Sequence, residues 1–149
     1  MRAERGFTLV ELLVVFAMVA LLAALVPLAF ERLRESAQYR DTVRGMLSDI
    51  RQARYRALAE GREVRFKVDL VSRNYGVEGR PPRIVPEPLR LRATVAEIEL
   101  TAAKGAGILF LPSGGATGGT IEIVRPSGAG VRLTVDWLSG GVAQSPIAQ

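Results

Sequence analysis

The hydrophobic pattern changes character twice along this chain. From Leu12 to Phe30 there are 19 consecutive uncharged and almost wholly apolar residues, and the run counts 24 from Phe7. At about 1.5 Å per residue that is a helix of roughly 36 Å, enough to cross the ~30 Å hydrocarbon layer of a bilayer with some tilt. Beyond it the apolar positions Leu33, Ala37, Tyr39, Val43, Met46, Leu47, Ile50, Ala53, Ala57 and Leu58 recur at three- and four-residue spacing. Arg40, Asp41, Arg44, Asp49, Arg51 and Arg56 occupy the other faces. The pattern predicts one long helix over 7–60 with Gly61 as its C-terminal stop.

From Arg62 onward the period falls to two, as in half-buried strands. Val64, Phe66, Val68 and Leu70 alternate with Arg65, Lys67 and Asp69, and Val131, Leu133, Val135 and Trp137 with Arg132, Thr134 and Asp136. Ile98 with Leu100, Ile108 to Leu111, and Ile121 with Ile123 mark three further strands. Turn-forming residues separate them: Asn74, Gly76, Gly79 and Arg80-Pro81-Pro82, then 104–107, 113–119 and 127–130. The expected fold is α+β: a long N-terminal transmembrane helix whose C-terminal half packs on one face of a mostly antiparallel sheet.

Two features of the first helix resist a plain membrane anchor. Glu11 is a lone carboxylate near the front of the apolar run, and a charge in a bilayer costs about 2.5–3.5 kcal/mol at the helix centre on insertion scales. A cleaved secretory signal would explain Arg2, Arg5 and the apolar run, but not the acid, the length, or the missing small-residue cut site before a polar start. Pro27 removes one helical hydrogen bond and crowds the preceding turn, so a kink or local melting is expected there.

Gly6-Phe7-Thr8-Leu9-Val10-Glu11-Leu12-Leu13 resembles the class III leader of type IV pilins and type II secretion pseudopilins. The resemblance implies that a prepilin peptidase cuts after Gly6 and methylates the new N-terminal Phe7. It implies residues 1–6 as leader, 7–30 as transmembrane and assembly helix, and 31–149 as a periplasmic domain, with helix 31–60 and sheet 62–142. Glu11 then acquires a role in subunit assembly. In a helix bundle its carboxylate can meet the N-terminal amine of a neighbouring subunit, and each desolvated charge relieves the other. Arg2 and Arg5 favour a cytoplasmic N-terminus and an external C-terminal domain.

The segment from Phe110 through Ser113-Gly114-Gly115-Ala116-Thr117-Gly118-Gly119 to Thr120, with Val135-Asp136-Trp137-Leu138-Ser139-Gly140, is similar to the GspH/FimT group of minor pseudopilins. The glycine-rich stretch is not a phosphate loop, because it lacks the Gly-Lys-Ser/Thr ending and leads into a strand. The resemblance implies a minor pseudopilin of the inner membrane, near the tip of a periplasmic type II secretion pseudopilus. Its partners would be other major and minor pseudopilins, the prepilin peptidase and the inner-membrane secretion platform. The alternative is a FimT-like minor pilin of a type IV pilus that binds DNA in natural transformation.

Composition narrows the chemistry. The 149 residues include no Cys and no His, which removes thiol and imidazole catalysis and nearly every zinc site. No catalytic constellation, cofactor motif or acidic calcium loop stands out, so no enzyme, cofactor or metal is expected. The net charge is +5; removing 1–6 takes away Arg2, Arg5 and Glu4 and leaves 18 basic and 14 acidic residues, net +4. Arg51, Arg54, Arg56, Arg62 and Arg65, and Arg80, Arg83, Arg90 and Arg92, could attract an acidic surface or nucleic acid, or simply balance Asp49, Glu60 and Glu63. No Arg or Lys follows Arg132, so phosphate recognition through the C-terminal end is not expected.

Overall fold

The computed structural model describes the backbone of residues 8–95 and 106–148, with side chains for all of these except 24–32. Among the described residues one helix, α1 (Leu9–Glu60), is followed by eight strands: β1 (Val64–Asp69), β2 (Asn74–Val77), β3 (Arg83–Ile84), β4 (Arg90–Val95), β5 (Ala106–Phe110), β6 (Gly119–Val124), β7 (Gly130–Val135) and β8 (Val142–Ile147). The chain forms two compact units, residues 1–37 and 38–149.

In the first unit α1 begins just after Thr8. The Thr8 side chain caps it: the Glu11 N–H donates to Thr8 Oγ1 at 3.3 Å and the Leu12 N–H to the Thr8 carbonyl at 3.2 Å. Thr8 and Glu11 thus stand at the two positions of a capping box, with the acid in the first turn where the helix dipole favours it. Helix is continuous across position 27, where a kink or melting was expected. The Pro27 side chain lies outside the described residues, so the expected kink is not tested.

In the second unit the strands divide between two antiparallel sheets rather than forming the single sheet expected. One sheet has the order β3-β2-β1-β5 and the other β4-β6-β7-β8. Phe66 lies opposite Val77 on one side and Ile108 on the other; Ile121 lies opposite Ala93 and Leu133. A stripe of α1 (Val43, Met46, Ile50, Ala53 and Ala57) joins Phe66, Phe110, Ile121, Ile123 and Leu133 in one buried core. The 3.6-residue spacing put those helical residues on one face, and the two-residue alternation put every second strand residue beneath them.

Several expectations need correction. Leu33 and Leu58, read as part of the buried stripe, are exposed. Trp137, read as the end of an alternating strand, lies beyond β7 in a turn and is 67 % exposed. Strands β2, β3, β4 and β8 were not expected, and β8 carries the sheet to Ile147 rather than 142. Ala106 and Gly107 belong to β5 and not to a turn. The strand expected at Ile98 and Leu100 lies outside the described residues. Gly61 ends the helix in the left-handed conformation, φ 62°, as its place after Glu60 implied.

Asp49, expected on a polar face, is buried at 6 % exposure and holds Arg83 at 3.3 Å, tying α1 to β3. Tyr75 Oη donates to the Thr42 carbonyl at 3.4 Å beside this pair, and burial pushes the Tyr75 phenol above its ordinary pKa. Arg125 lies 3.9 Å above the Tyr39 ring and closes the other end of the helical stripe.

Gly130 fits a site that no larger residue can share. A Cβ there would sit 2.3 Å from the Ile123 carbonyl oxygen and 3.0 Å from Val124 Cα, both backbone atoms of the neighbouring strand. Gly130→Ala is therefore expected to destabilise the unit by about 2–3 kcal/mol through forced separation of β6 and β7. Denaturant unfolding followed by circular dichroism would read this as a lower midpoint at an unchanged slope.

Candidate assembly site on the N-terminal helix

Every large apolar residue from Leu9 to Leu22 is exposed, from 47 % at Val14 to 80 % at Leu9. At about 100° per residue, Leu9, Val10, Leu12, Leu13, Val14, Phe16, Met18, Val19, Leu21 and Leu22 point to all sides of the helix. A contiguous apolar surface of this extent is not stable in water and marks a membrane or protein contact. Glu11 stands within it, exposed, with its backbone N–H held by Thr8 and no cation within ion-pair distance among the described residues.

The remaining predicted site residues fall on both sides of this stretch. Gly6 and Phe7, the expected cleavage and methylation position, lie outside the described residues. The same holds for the side chains of residues 24–30 at the far end of the expected span. Among the described residues, no helix is long and apolar enough to cross a membrane. The structure thus brings Thr8 to Glu11 as its helix cap, a pairing that sequence reasoning passed over although the Thr-x-x-Glu spacing carried the signal.

Some of the clustered arginines resolve into individual pairs with carboxylates. Arg56 and Arg62 both contact Glu60, at 2.9 and 2.6 Å; Arg92 and Arg132 flank Glu122 across the second sheet, at 4.0 and 2.8 Å. The side-chain bonds from Arg56 and Arg62 hold the Glu60 carboxyl below its ordinary pKa, and the Lys67 ammonium does the same for Glu78. Such exposed pairs are screened by water and contribute little stability. They engage part of the basic set with neighbouring carboxylates, as solvated faces would require. Among the described residues, no three Asp or Glu side chains come together as a metal site would need.

Comparison with known proteins agrees with this geometry at both ends of the chain. The prokaryotic N-terminal methylation motif matches residues 1–27, and the family described as type II transport protein GspH matches residues 42–141. Type II secretion system protein H of Xanthomonas campestris pv. campestris is 29 % identical over 146 residues, covering 98 % of this chain and 86 % of that protein. The minor pseudopilin EpsH of the Vibrio cholerae type 2 secretion system shares the fold, with TM-scores of 0.57 and 0.58 in two structures at 14 % identity. Those alignments cover 72 % and 76 % of this chain and 96 % and 97 % of EpsH. The type IV minor pilin FimU of Pseudomonas aeruginosa is similar in fold, with a TM-score of 0.50 at 15 % identity over 72 % of this chain and 92 % of FimU. With the family match covering about two thirds of its length, the chain belongs to the type II transport protein GspH family, the minor pseudopilins of the type II secretion system.

Proposed function

We propose that this minor pseudopilin enters the inner membrane with its N-terminus cytoplasmic, is cut after Gly6 by a prepilin peptidase and methylated on Phe7, and then joins a periplasmic pseudopilus near its tip. Residues 7–30 serve first as the membrane span and then as the assembly helix, with a kink at Pro27. Glu11 pairs with the N-terminal amine of an adjacent subunit and so sets the axial register. The secretion platform on the inner membrane receives the processed subunit, and other major and minor pseudopilins are its neighbours in the fibre. The single observation that carries this reading is the all-round apolar surface of residues 9–22 interrupted by one carboxylate with no cation partner among the described residues.

The physical argument is one of burial. Outside lipid, that surface is stable only against other helices of the same kind, which is the environment of a filament core. Within such a core an unpaired carboxylate is strongly unfavourable, and truncating one partner of a buried charge pair costs about 3–5 kcal/mol. Charge matching therefore selects one stagger between neighbouring helices over the others.

The DNA-binding pilin remains the competing reading, and the cations argue against it. Strand β8 and its flanks carry no Arg or Lys, and several arginines elsewhere are engaged by carboxylates. Isolation of sheared pseudopilus fibres distinguishes the two. The chain should appear in the fibre fraction at a small fraction of the major subunit, and the purified protein should not retain DNA at physiological salt. Submicromolar DNA affinity with a steep salt dependence, together with absence from the fibres, would favour the pilin reading instead.

A further inference from the structure

At the end of the globular unit where α1 stops, the helix and the turn after β7 leave a groove between them. Ile50, Arg51, Arg54, Tyr55 and Leu58 form the helical wall, and Gly140, Gly141 and Val142 the other. Its volume is about 290 Å³, room for one or two side chains and not for a large ligand. Tyr55 is 70 % exposed and Leu58 46 %, and the turn that supplies Gly140 carries Trp137 and Leu138, 67 % and 70 % exposed. Trp, Tyr and Arg are the residues most enriched at the energetic centres of protein interfaces.

The turn itself is built firmly. The Asp136 carboxylate accepts from the Ser139 N–H at 2.8 Å and from the Ser139 hydroxyl at 2.7 Å, and those bonds hold its carboxyl below the ordinary range. The Gly140 N–H donates to the Asp136 carbonyl and the Asp136 N–H to the Gly141 carbonyl, each at 2.9 Å. An ordered wall of this kind binds without a large ordering penalty.

Among the described residues the charge in the groove is unmatched. Arg51 and Arg54 have no carboxylate within ion-pair distance among the described residues, while nearby Glu60 is held by Arg56 and Arg62, and Asp136 by Ser139. Arg54 Nε is buried under the turn, where a Cβ on Gly140 would come within 3.2 Å of it, and it has no hydrogen-bond acceptor among the described residues. A desolvated guanidinium edge without an acceptor is unfavourable until an anion meets the rest of the group. Aliphatic walls beside two unmatched guanidinium groups specify an occupant that is apolar and anionic at adjacent positions.

We propose that this groove docks a segment of a partner protein that presents an aliphatic side chain next to a carboxylate. The aliphatic group seats between Leu58 and Val142, and the carboxylate meets Arg51 and Arg54. A protein segment fits better than nucleic acid, because the aliphatic walls offer little to a phosphate and the turn side contributes no cation. The inference concerns the globular unit and does not depend on the pairing of Glu11 or on cleavage after Gly6.

The test uses the full chain in detergent micelles and an acetylated, amidated hexapeptide of alternating Leu and Glu. Amide shifts of Gly140 and Gly141, with the indole of Trp137, the sole tryptophan, report binding. A saturable change at Gly140 and Gly141 is expected, at least ten-fold weaker for the Leu–Gln and Ser–Glu versions and at least ten-fold weaker in Arg54→Gln. Arg51→Gln, at an exposed helical position, should weaken binding several-fold and guards against misfolding of the Arg54 variant. Silent glycine amides at millimolar peptide, an equal response to the Ser–Glu peptide, or tighter binding of a thymidine oligonucleotide would each overturn the proposal. So would a ten-fold gain in peptide affinity on replacing Glu97 and Glu99 with Gln, since that would make this chain's own Glu-Ile-Glu-Leu sequence the occupant.

Discussion

Phe66→Ala is expected to destabilise the 38–149 unit by about 3–5 kcal/mol, a large share of the 5–15 kcal/mol that holds a domain of this size folded. Phe66 is wholly buried in β1, opposite Val77 on one neighbouring strand and Ile108 on the other, with the Tyr75 ring 6.2 Å away. It belongs to the same core as Met46 and Ile50 of α1 and Ile121 and Leu133 of the second sheet, so an alanine leaves a cavity where all three layers meet. The surrounding backbone is committed to hydrogen-bonded ladders and cannot collapse fully into that space. Equilibrium unfolding in urea would show a midpoint lowered in proportion. A change below about 1 kcal/mol would mean that the helix and the two sheets do not share a core at Phe66.

Glu11→Ala should have the opposite profile: no loss of stability in the globular unit and a severe loss of incorporation into the fibre. Among the described residues its side chain makes no hydrogen bond or ion pair, and its helix cap rests on the Thr8 hydroxyl and the Glu11 backbone N–H, which alanine retains. The amine of a neighbouring subunit would lose its partner in a low-dielectric bundle, a cost of about 3–5 kcal/mol, equivalent to a drop of roughly two to four orders of magnitude in association. Quantifying the chain in sheared fibres, against its level in membranes, separates the two effects. Glu11→Gln should fail nearly as completely, because it keeps the shape and the hydrogen-bonding but not the charge. Normal incorporation of either variant would remove the register argument.

How far the fold could be read from residues alone depended on how each element is buried. The helix was legible because Val43, Met46, Ile50, Ala53 and Ala57 keep one face of a 3.6-residue period over four turns. β1 and β7 were legible because one face is buried and the other solvated, the condition that produces clean alternation. β8 hid because it is the edge of its sheet with four consecutive exposed residues, Ala143 to Pro146, so no apolar rhythm marks it. β4 hid for a related reason: Arg90, Arg92 and Thr94 are exposed and the intervening Leu91, Ala93 and Val95 only half-buried, so the arginines dominated the reading. β2 contains Asn74 and Gly76, residues that signal a turn, yet Gly76 lies where a Cβ would approach Pro82 Cα at 3.2 Å, so closeness of chains selected it.

The partition into two sheets follows from pairings between distant segments, β1 with β5 and β4 with β6, which no local pattern encodes. Asp49 was misplaced because a carboxylate in a helical pattern reads as solvent-facing, whereas here Arg83 from β3 reaches across to it. The candidate site divides in the same way. Glu11 was legible as a charge in the wrong medium, and Thr8 as its cap only once the helix start was fixed. The groove beside Arg54 needed three dimensions, since Leu58 and Gly140 are 82 positions apart in the chain.

The central claim, that this chain is a processed filament subunit and not a permanent membrane anchor, is tested most directly by intact-mass and N-terminal fragment analysis of the protein recovered from fibres. The account predicts a chain that starts at Phe7 and carries one added methyl group on its amine. A chain in the fibres that retains Met1 to Gly6, or that begins at any residue other than Phe7, would contradict it.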